Sequence, residues 1–339
     1  MRIVVDAMGT DNHPTPDVAG GVLAAREFGY TVLLVGDEQR IRAELGKQDT
    51  RHINLEVVPA QDVITMTDIP SQVGKSKSQS SMHVGMNLVK NGLADGFVTM
   101  GNTGAAHAIA TLYTLRRIPG IKRPALSGIY PLGGRHVTML DLGANADSKA
   151  EWLAQFALMG HVYAKNTLNL PEPRIALLSN GEEEGKGNAL IREAAALIQQ
   201  MPLNYIGNVE PKEIMRGETD VIVCDGFVGN IFVKTFEASA SFVGGLIREE
   251  VHRDPLSMLG GMLLRPAFRR VRQRSDTFEV GGAPLLGVNG VVIIGHGRSN
   301  ADAVKNAIRQ AALAVQGRVI DAIRDKLQRV GAIDDSTAS

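Results

Sequence analysis

The sequence predicts an α/β fold, a mainly parallel sheet sandwiched by helices. Short Val/Ile/Leu-rich runs alternate with longer amphipathic stretches along the chain, the pattern of strands joined by helical crossovers. Several apolar runs end in glycine-containing turns that lead into a helix. The 339 residues are 44% hydrophobic and 21% charged, enough for a large core and too apolar for intrinsic disorder.

Residues 2–7 read as a buried strand. A helix follows over 16–28, with Thr15 expected as its N-cap, Pro16 at its first position and Gly29 ending it. A strand over 31–36, a helix over 38–45 and a strand over 53–58 come next. Then come a helix over 78–91, a strand over 96–99 and a helix over 104–115. Strands over 126–130 and 136–141 pair across the Gly133-Gly134 turn. The second half continues with a helix over 148–165, a strand over 174–178, a helix over 187–200 and a strand over 221–224. A long helix runs from Asn230 to about 251, a strand spans 291–294, and 300–330 is mostly helical. A single α/β unit over 1–339 is expected. In such folds ligands bind beyond the carboxyl ends of strands, which directs attention to the strand-end turns.

Lys+Arg and Asp+Glu each number 36, and aromatics are 4%. A dedicated nucleic-acid binder would carry a basic excess and more stacking residues. One cysteine, Cys224, excludes an internal disulfide and any cysteine-based zinc or iron–sulfur site, and fits a reducing cytoplasm. It ends the run Val221-Ile-Val, so a small buried hydrophobe is its expected role. Asp6 interrupts what would be a signal-peptide core, and no apolar run approaches the roughly 20 residues a spanning helix needs.

Six turns carry the candidate chemistry. Asp6-Ala-Met-Gly-Thr-Asp-Asn12 places acids and an amide around a tight turn at Gly9. Gly101-Asn-Thr-Gly-Ala105 precedes a helix and suits a phosphate at a helix N-terminus through Asn102, Thr103 and Gly104. His107 lies on that helix, where a lone histidine is more often structural. In Asp141-Leu-Gly-Ala-Asn145, Asn145 either caps a helix or donates to a substrate oxygen. Asn180-Gly-Glu-Glu-Glu-Gly-Lys-Gly187 fails as a nucleotide P-loop, because its spacing is short and no Ser/Thr follows Lys186. It leaves a glycine-flanked lysine at a helix start. Asp225-Gly-Phe-Val-Gly-Asn230 opens the long helix. Gly295-His-Gly-Arg-Ser-Asn300 is an incomplete dinucleotide fingerprint, and His296 between its glycines is the best polar candidate among the histidines. No metal-ligand spacing and no Ser-centred nucleophile elbow is present; no metal and no cofactor is expected.

In order along residues 6 to about 300, these motifs resemble the PlsX family of acyl-acyl carrier protein:phosphate acyltransferases of bacterial phospholipid synthesis. Thr10 stands where that family usually has a second glycine. The resemblance implies an isocitrate/isopropylmalate dehydrogenase-like (Rossmann-like) fold, shared with phosphotransacetylase, and a homodimer. It implies acyl transfer from acyl carrier protein to inorganic phosphate, with the acyl phosphate consumed by a membrane glycerol-3-phosphate acyltransferase. By the same match, Lys186 would pair with phosphate or the oxyanion and Asn230 would orient hydrogen bonds. Asn102, Thr103 and Gly104 would cradle phosphate, with Asp6, Gly9, Asn145 and His296 lining the cleft. The alternative is a phosphotransacetylase acting on acyl-CoA. A nicotinamide-dependent dehydrogenase would want an acid cluster for a metal, and a non-enzymatic membrane scaffold would leave the six turns unexplained.

The segment Pro255–Ser275 joins an apolar stretch to five arginines with no acid. An interfacial membrane element or an acidic-partner surface is expected, with contacts through Leu259, Met262, Leu263, Arg265 and Arg269. Pro266 divides the segment, so a two-part protruding hairpin over 255–275 is expected. The implied location is cytoplasmic, peripheral to the inner membrane face.

Overall fold

The computed structural model describes residues 1–275 and 281–337, with side chains placed through 271 and from 281 to 330. The chain enters through β1 (Arg2–Asp6), α1 (Thr15–Phe28), β2 (Thr31–Gly36), α2 (Glu38–Leu45) and β3 (Leu55–Pro59). Then come α3 (Pro70–Ser76), α4 (Ser81–Lys90), β4 (Gly96–Thr99) and α5 (Thr103–Ala108), which runs on as a π-helical turn over Ile109–Tyr113. Next are β5 (Ala125–Leu132), β6 (Arg135–Leu140), α6 (Ala150–Thr167), β7 (Ile175–Leu178), α7 (Ala189–Gln199), β8 (Tyr205–Val209), α8 (Pro211–Arg216) and β9 (Val221–Val223). The chain closes with α9 (Gly226–Val251), α10 (Pro255–Ser275), β10 (Ala283–Leu286), β11 (Val291–Ile294), α11 (Ala301–Gln316) and α12 (Val319–Thr337).

Among the described residues, eleven strands form one sheet in the order β3-β2-β1-β4-β11-β10-β5-β6-β9-β7-β8. The first five of that order are mutually parallel, as are the last four. Between them β10 is antiparallel to β11 and to β5, and β5 is antiparallel to β6. Three reversals make the two parallel blocks run in opposite senses. At the sheet centre the register brings the carboxyl ends of the two blocks level: Ile293 near the end of β11 pairs with Pro284, and Leu140 at the end of β6 pairs with Ser127, whose Oγ donates to the Pro284 carbonyl.

Buried Val, Ile and Leu of the strands pack under helices on both faces. On one face α1, α6, α7, α11 and α12 cover Ile3, Val5, Leu34, Val98, Leu140, Leu177, Val223 and Ile293. On the other, α4 and α5 cover Val4, Leu33, Phe97 and Val292, and a smaller cluster joins Met139, Ala176, Ile222 and Cys224 to α8. Burial of this kind contributes about 25 cal/mol per Å² of apolar surface.

Local structure departs from the sequence reading in places. Thr15 lies inside α1, whose N-cap is Pro14 without a side-chain cap bond; Pro16 and buried Asp17 occupy its first turn. The helix expected over 104–115 is shortened and widens into the π turn. The strand β8 and the short helix α3 carry no periodicity long enough to mark them. Nor does the segment 255–275 form a two-part hairpin. It is one helix, α10, with Pro266 inside it. The hairpin is made by α9 against α10, and Asp254 starts α10 by accepting from the N–H groups of Leu256 and Ser257 at 2.9 Å each. Pro266 loses one backbone donor without breaking the helix, a cost tolerated on an exposed arm. Among the described residues, no helix is long and apolar enough to cross a membrane.

Candidate active site

At the sheet centre lies a cavity of about 450 Å³. Thr103, Gly104 and His107 of α5 line it on one side, with Ile294, Gly295 and His296 at the end of β11. Leu142, Gly143 and Ala144 after β6 line it on the other, with Asn230, Val233, Lys234 and Glu237 from the first turns of α9. Its floor is β5 and β10, through Leu126, Ile129, Tyr130 and Leu285. The walls are thus largely apolar, with cationic and hydrogen-bonding groups at the rim.

The lining carries two imidazoles, an ammonium and a phenol. His107 buries its Nε2 without a hydrogen-bond partner; burial lowers its pKa, and Arg123 lowers it further. His296 keeps one side exposed. Desolvation of the other side lowers its pKa, Glu237 opposes that, and Arg298 and Lys234 add to it. Both imidazoles are therefore biased to the neutral form near pH 7. Lys234 is exposed and stands 3.9 Å from Glu237, a separation that leaves the ammonium free to meet a second anion. Burial, with the charge of Glu237, pushes the Tyr130 phenol up and keeps it protonated.

The conspicuous turns do something different. Asp6 is buried and accepts from Thr99 Oγ1 at 2.7 Å and from the Met8 N–H at 3.1 Å. Burial raises its pKa, against the hydrogen bonds from Ser81, Thr99 and Met8. It ties the turn after β1 to the turn after β4, and Gly9 lets the two backbones meet, since a Cβ there would lie 2.8 Å from the Met100 nitrogen. Thr10 hydrogen-bonds the buried Asp17 at 2.5 Å, so the departure from glycine at that position has a structural partner. Asn102 caps α5 by accepting from the Ala105 N–H at 3.0 Å, while its amide donates toward the carbonyls of Thr65, Met66 and Asp68.

Asp141 is fully buried and accepts from the N–H groups of Leu126, Gly143, Ala144 and Asn145 and from Asn145 Nδ2. Burial pushes its carboxyl up while these bonds, led by Asn145, pull it down. Asn145 gives its other amide hydrogen to the Pro124 carbonyl at 2.7 Å. It neither caps α6 nor lines the cavity. Gly229 brings α9 against this turn, where a Cβ would fall 1.9 Å from the Asp141 carbonyl oxygen. Asn230 lines the cavity and donates to the Leu142 carbonyl at 3.0 Å. Cys224 is buried beneath them, and desolvation raises its thiol pKa.

Of the residues singled out in the sequence, the structure brings Thr103, Gly104, His107, Asn230 and His296 to the cavity. Asp6, Gly9, Asn102 and Asn145 lie in the turns behind it. Lys186 is exposed on the loop after β7, its stem over Gly181, and is not among the cavity-lining residues. The nearby acids Glu182, Glu210 and Glu213 converge, but the Lys212 ammonium sits among them at 2.7, 3.1 and 3.5 Å. Lys234 and Glu237 escaped the sequence reading because they stand inside a long helix without a motif. The available signal was their spacing, one and two turns beyond Asn230 on the same face. Leu259, Met262, Leu263, Arg265 and Arg269 are all exposed on α10, and none of them lines this cavity.

Solved structures with this architecture include a phosphotransacetylase from Streptococcus pyogenes, at TM-score 0.61 and 20% identity over 95% of this chain and 94% of that one. A branched-chain phosphotransacylase from Enterococcus faecalis matches at TM-score 0.57 and 13% identity, over 93% and 99%. The fold is therefore of the phosphotransacetylase type, and the expected isocitrate/isopropylmalate dehydrogenase-like (Rossmann-like) fold is corrected. Alternating strand and helix signals establish α/β layering; the order and sense of the strands, which separate one such fold from another, are not local properties of the sequence.

Curated relatives make the class specific. A phosphate acyltransferase from Trichlorobacter lovleyi is 45% identical over 98% of this chain and 96% of its own. One from Halothermothrix orenii is 41% identical over 98% and 100%. Residues 1–322 match the family described as fatty acid synthesis protein. The chain belongs to that family, and it is an acyltransferase.

Proposed function

We propose that this protein transfers a fatty acyl group from the thioester of acyl carrier protein to inorganic phosphate, giving acyl phosphate and the free carrier thiol. A phosphate oxygen attacks the thioester carbonyl, the carbon–sulfur bond breaks, and the phosphate proton leaves with the sulfur as thiol. Phosphate is already largely ionised near neutral pH, its second proton having a pKa near 6 in phosphomonoesters. The leaving thiol has a pKa of about 8.5. Neither a strong base nor a covalent nucleophile is required; the protein has to hold phosphate against the thioester and stabilise the oxyanion.

The observation that carries this reading is the cavity itself, whose apolar walls end in Thr103, His107, Lys234 and His296. The walls suit an acyl chain and the rim suits phosphate. Lys234 supplies the cationic charge, and Asn230 fixes the Gly143 turn against the reacting group. The assignment of Lys186 rests on the family resemblance, and full phosphate-dependent transfer by Lys186→Ala would remove it. The rim by itself accepts an acyl-CoA as readily as a carrier thioester. The deciding assay follows thiol release from each donor, with and without phosphate. Release that needs both phosphate and the carrier thioester is expected; release without phosphate would mean a thioesterase.

The exposed apolar side chains Phe242, Leu246 and Ile247 of α9 suit packing against a second copy. Those of α10, Leu256, Leu259, Met262 and Leu263, stand beside Arg265 and Arg269 and suit an anionic membrane surface. There the acyl phosphate would pass to a membrane glycerol-3-phosphate acyltransferase. Co-sedimentation with anionic vesicles should fall in Leu263→Glu; equal binding would refute the membrane contact.

A further inference from the structure

A second concavity, of about 700 Å³, lies between the π turn, residues 116–123 and the start of α6. Arg116, Arg117, Lys122 and Arg123 line it, and Glu151 is the acid among its lining residues. All four cations are exposed. In a chain of zero formal net charge, this is a concentrated positive field.

The chain holds part of this basic wall in place. The Arg117 guanidinium donates to the Lys122 carbonyl at 2.5 Å, and that of Arg116 to the Leu112 carbonyl. The Arg123 guanidinium lies over the Trp152 ring, 5.0 Å from its centroid, a cation–π contact. Guanidinium groups oriented before binding lose less freedom when they meet carboxylates or phosphates.

The groove and the cavity are lined from neighbouring turns of α5 and its π-helical extension. Thr111 lines the groove and buries an Oγ1 without a partner. His107, four residues earlier, lines the cavity and buries its unpartnered Nε2. Four residues of helix span about 6 Å. Arg123 reaches His107 electrostatically, and 116–123 leads into β5, which floors the cavity.

We propose that this groove is the docking surface for the acidic carrier protein, whose thioester arm then passes Thr111 and His107 into the cavity. The proposal rests on the acyl-transfer reading above and assigns its protein substrate to a surface distinct from α10. A membrane is the poorer occupant, because Leu112 is the exposed large apolar side chain lining the groove, and interfacial binding needs apolar area as well as charge.

The test is direct binding of fluorescently labelled acyl carrier protein to the full chain by anisotropy, at low and high salt. The double variant Arg117→Glu/Lys122→Glu should raise Kd at low salt by about tenfold or more and flatten its salt dependence. Its melting temperature and vesicle binding should stay those of the wild type. Leu263→Glu should show the reverse, with carrier Kd kept and vesicle binding lost. Wild-type carrier Kd in the double variant, or loss of vesicle binding instead, overturns the assignment. Because binding is read without turnover, failure of the docking proposal is distinguishable from failure of the reaction, which the phosphate-dependence assay reads separately.

Discussion

Asp141 and His107 show two ways of treating a buried polar group. In the turn after β6, Asp141 accepts from four backbone N–H groups and a side-chain amide. On α5, His107 keeps a buried ring nitrogen with no partner at the edge of the cavity. Asn102 and Asn145 stand with Asp141, their amides bonded to carbonyls or to Asp141, whereas Lys234 at the rim is exposed and paired with Glu237 at 3.9 Å. A saturated group has nothing left to offer a substrate, so its loss should appear in stability. An open one adds little to the fold, and its loss should appear in turnover.

The sharpest way to break the turn side is Gly229→Ala. The added methyl would overlap the Asp141 carbonyl oxygen, and overpacking against backbone should cost about 3 kcal/mol or more. Denaturant melts will show this, and a change below about 1 kcal/mol would mean the turn is pliable. Next, Asp141→Ala strands five donors in a dry site and should cost about 3 kcal/mol.

A subtler test uses pH. Burial pushes the Asp17 carboxyl up to about 8, against about 3.9 in an unfolded chain, so the folded state binds the extra proton between those values. Its contribution to stability is full below about pH 4 and is lost as pH rises through 8. Asp17→Asn should therefore lose less stability than wild type between pH 5 and 9; parallel profiles would contradict the assignment. Smallest should be Asn102→Ala, about 1–2 kcal/mol from a lost helix cap and amide bonds.

Much of the sheet was legible. Apolar runs such as Ile3-Val-Val and Val291-Val-Ile-Ile are buried on both faces, which imposes a composition that few helices share. The strand β10 was not, because Pro284 sits in it and its pairing with β11 and β5 is long-range. The strand β8 is an edge strand holding Gly207 and Asn208, with weak intrinsic preference. For the site, glycine-rich turns are visible in sequence because tight backbone geometry restricts residue type. That same restriction marks scaffold as readily as chemistry, which is why Asp6 and Asn145 stood out while Lys234 did not. A helical lysine reaches the cavity only when α9 is laid across β6, and that is a tertiary fact.

The claim that the open rim does the chemistry is tested most directly by the phosphate dependence of acyl transfer in Lys234→Ala. A fall in kcat/KM for phosphate of about a hundredfold, with an unchanged melting temperature, is the result expected. Wild-type phosphate kinetics in that variant would contradict it.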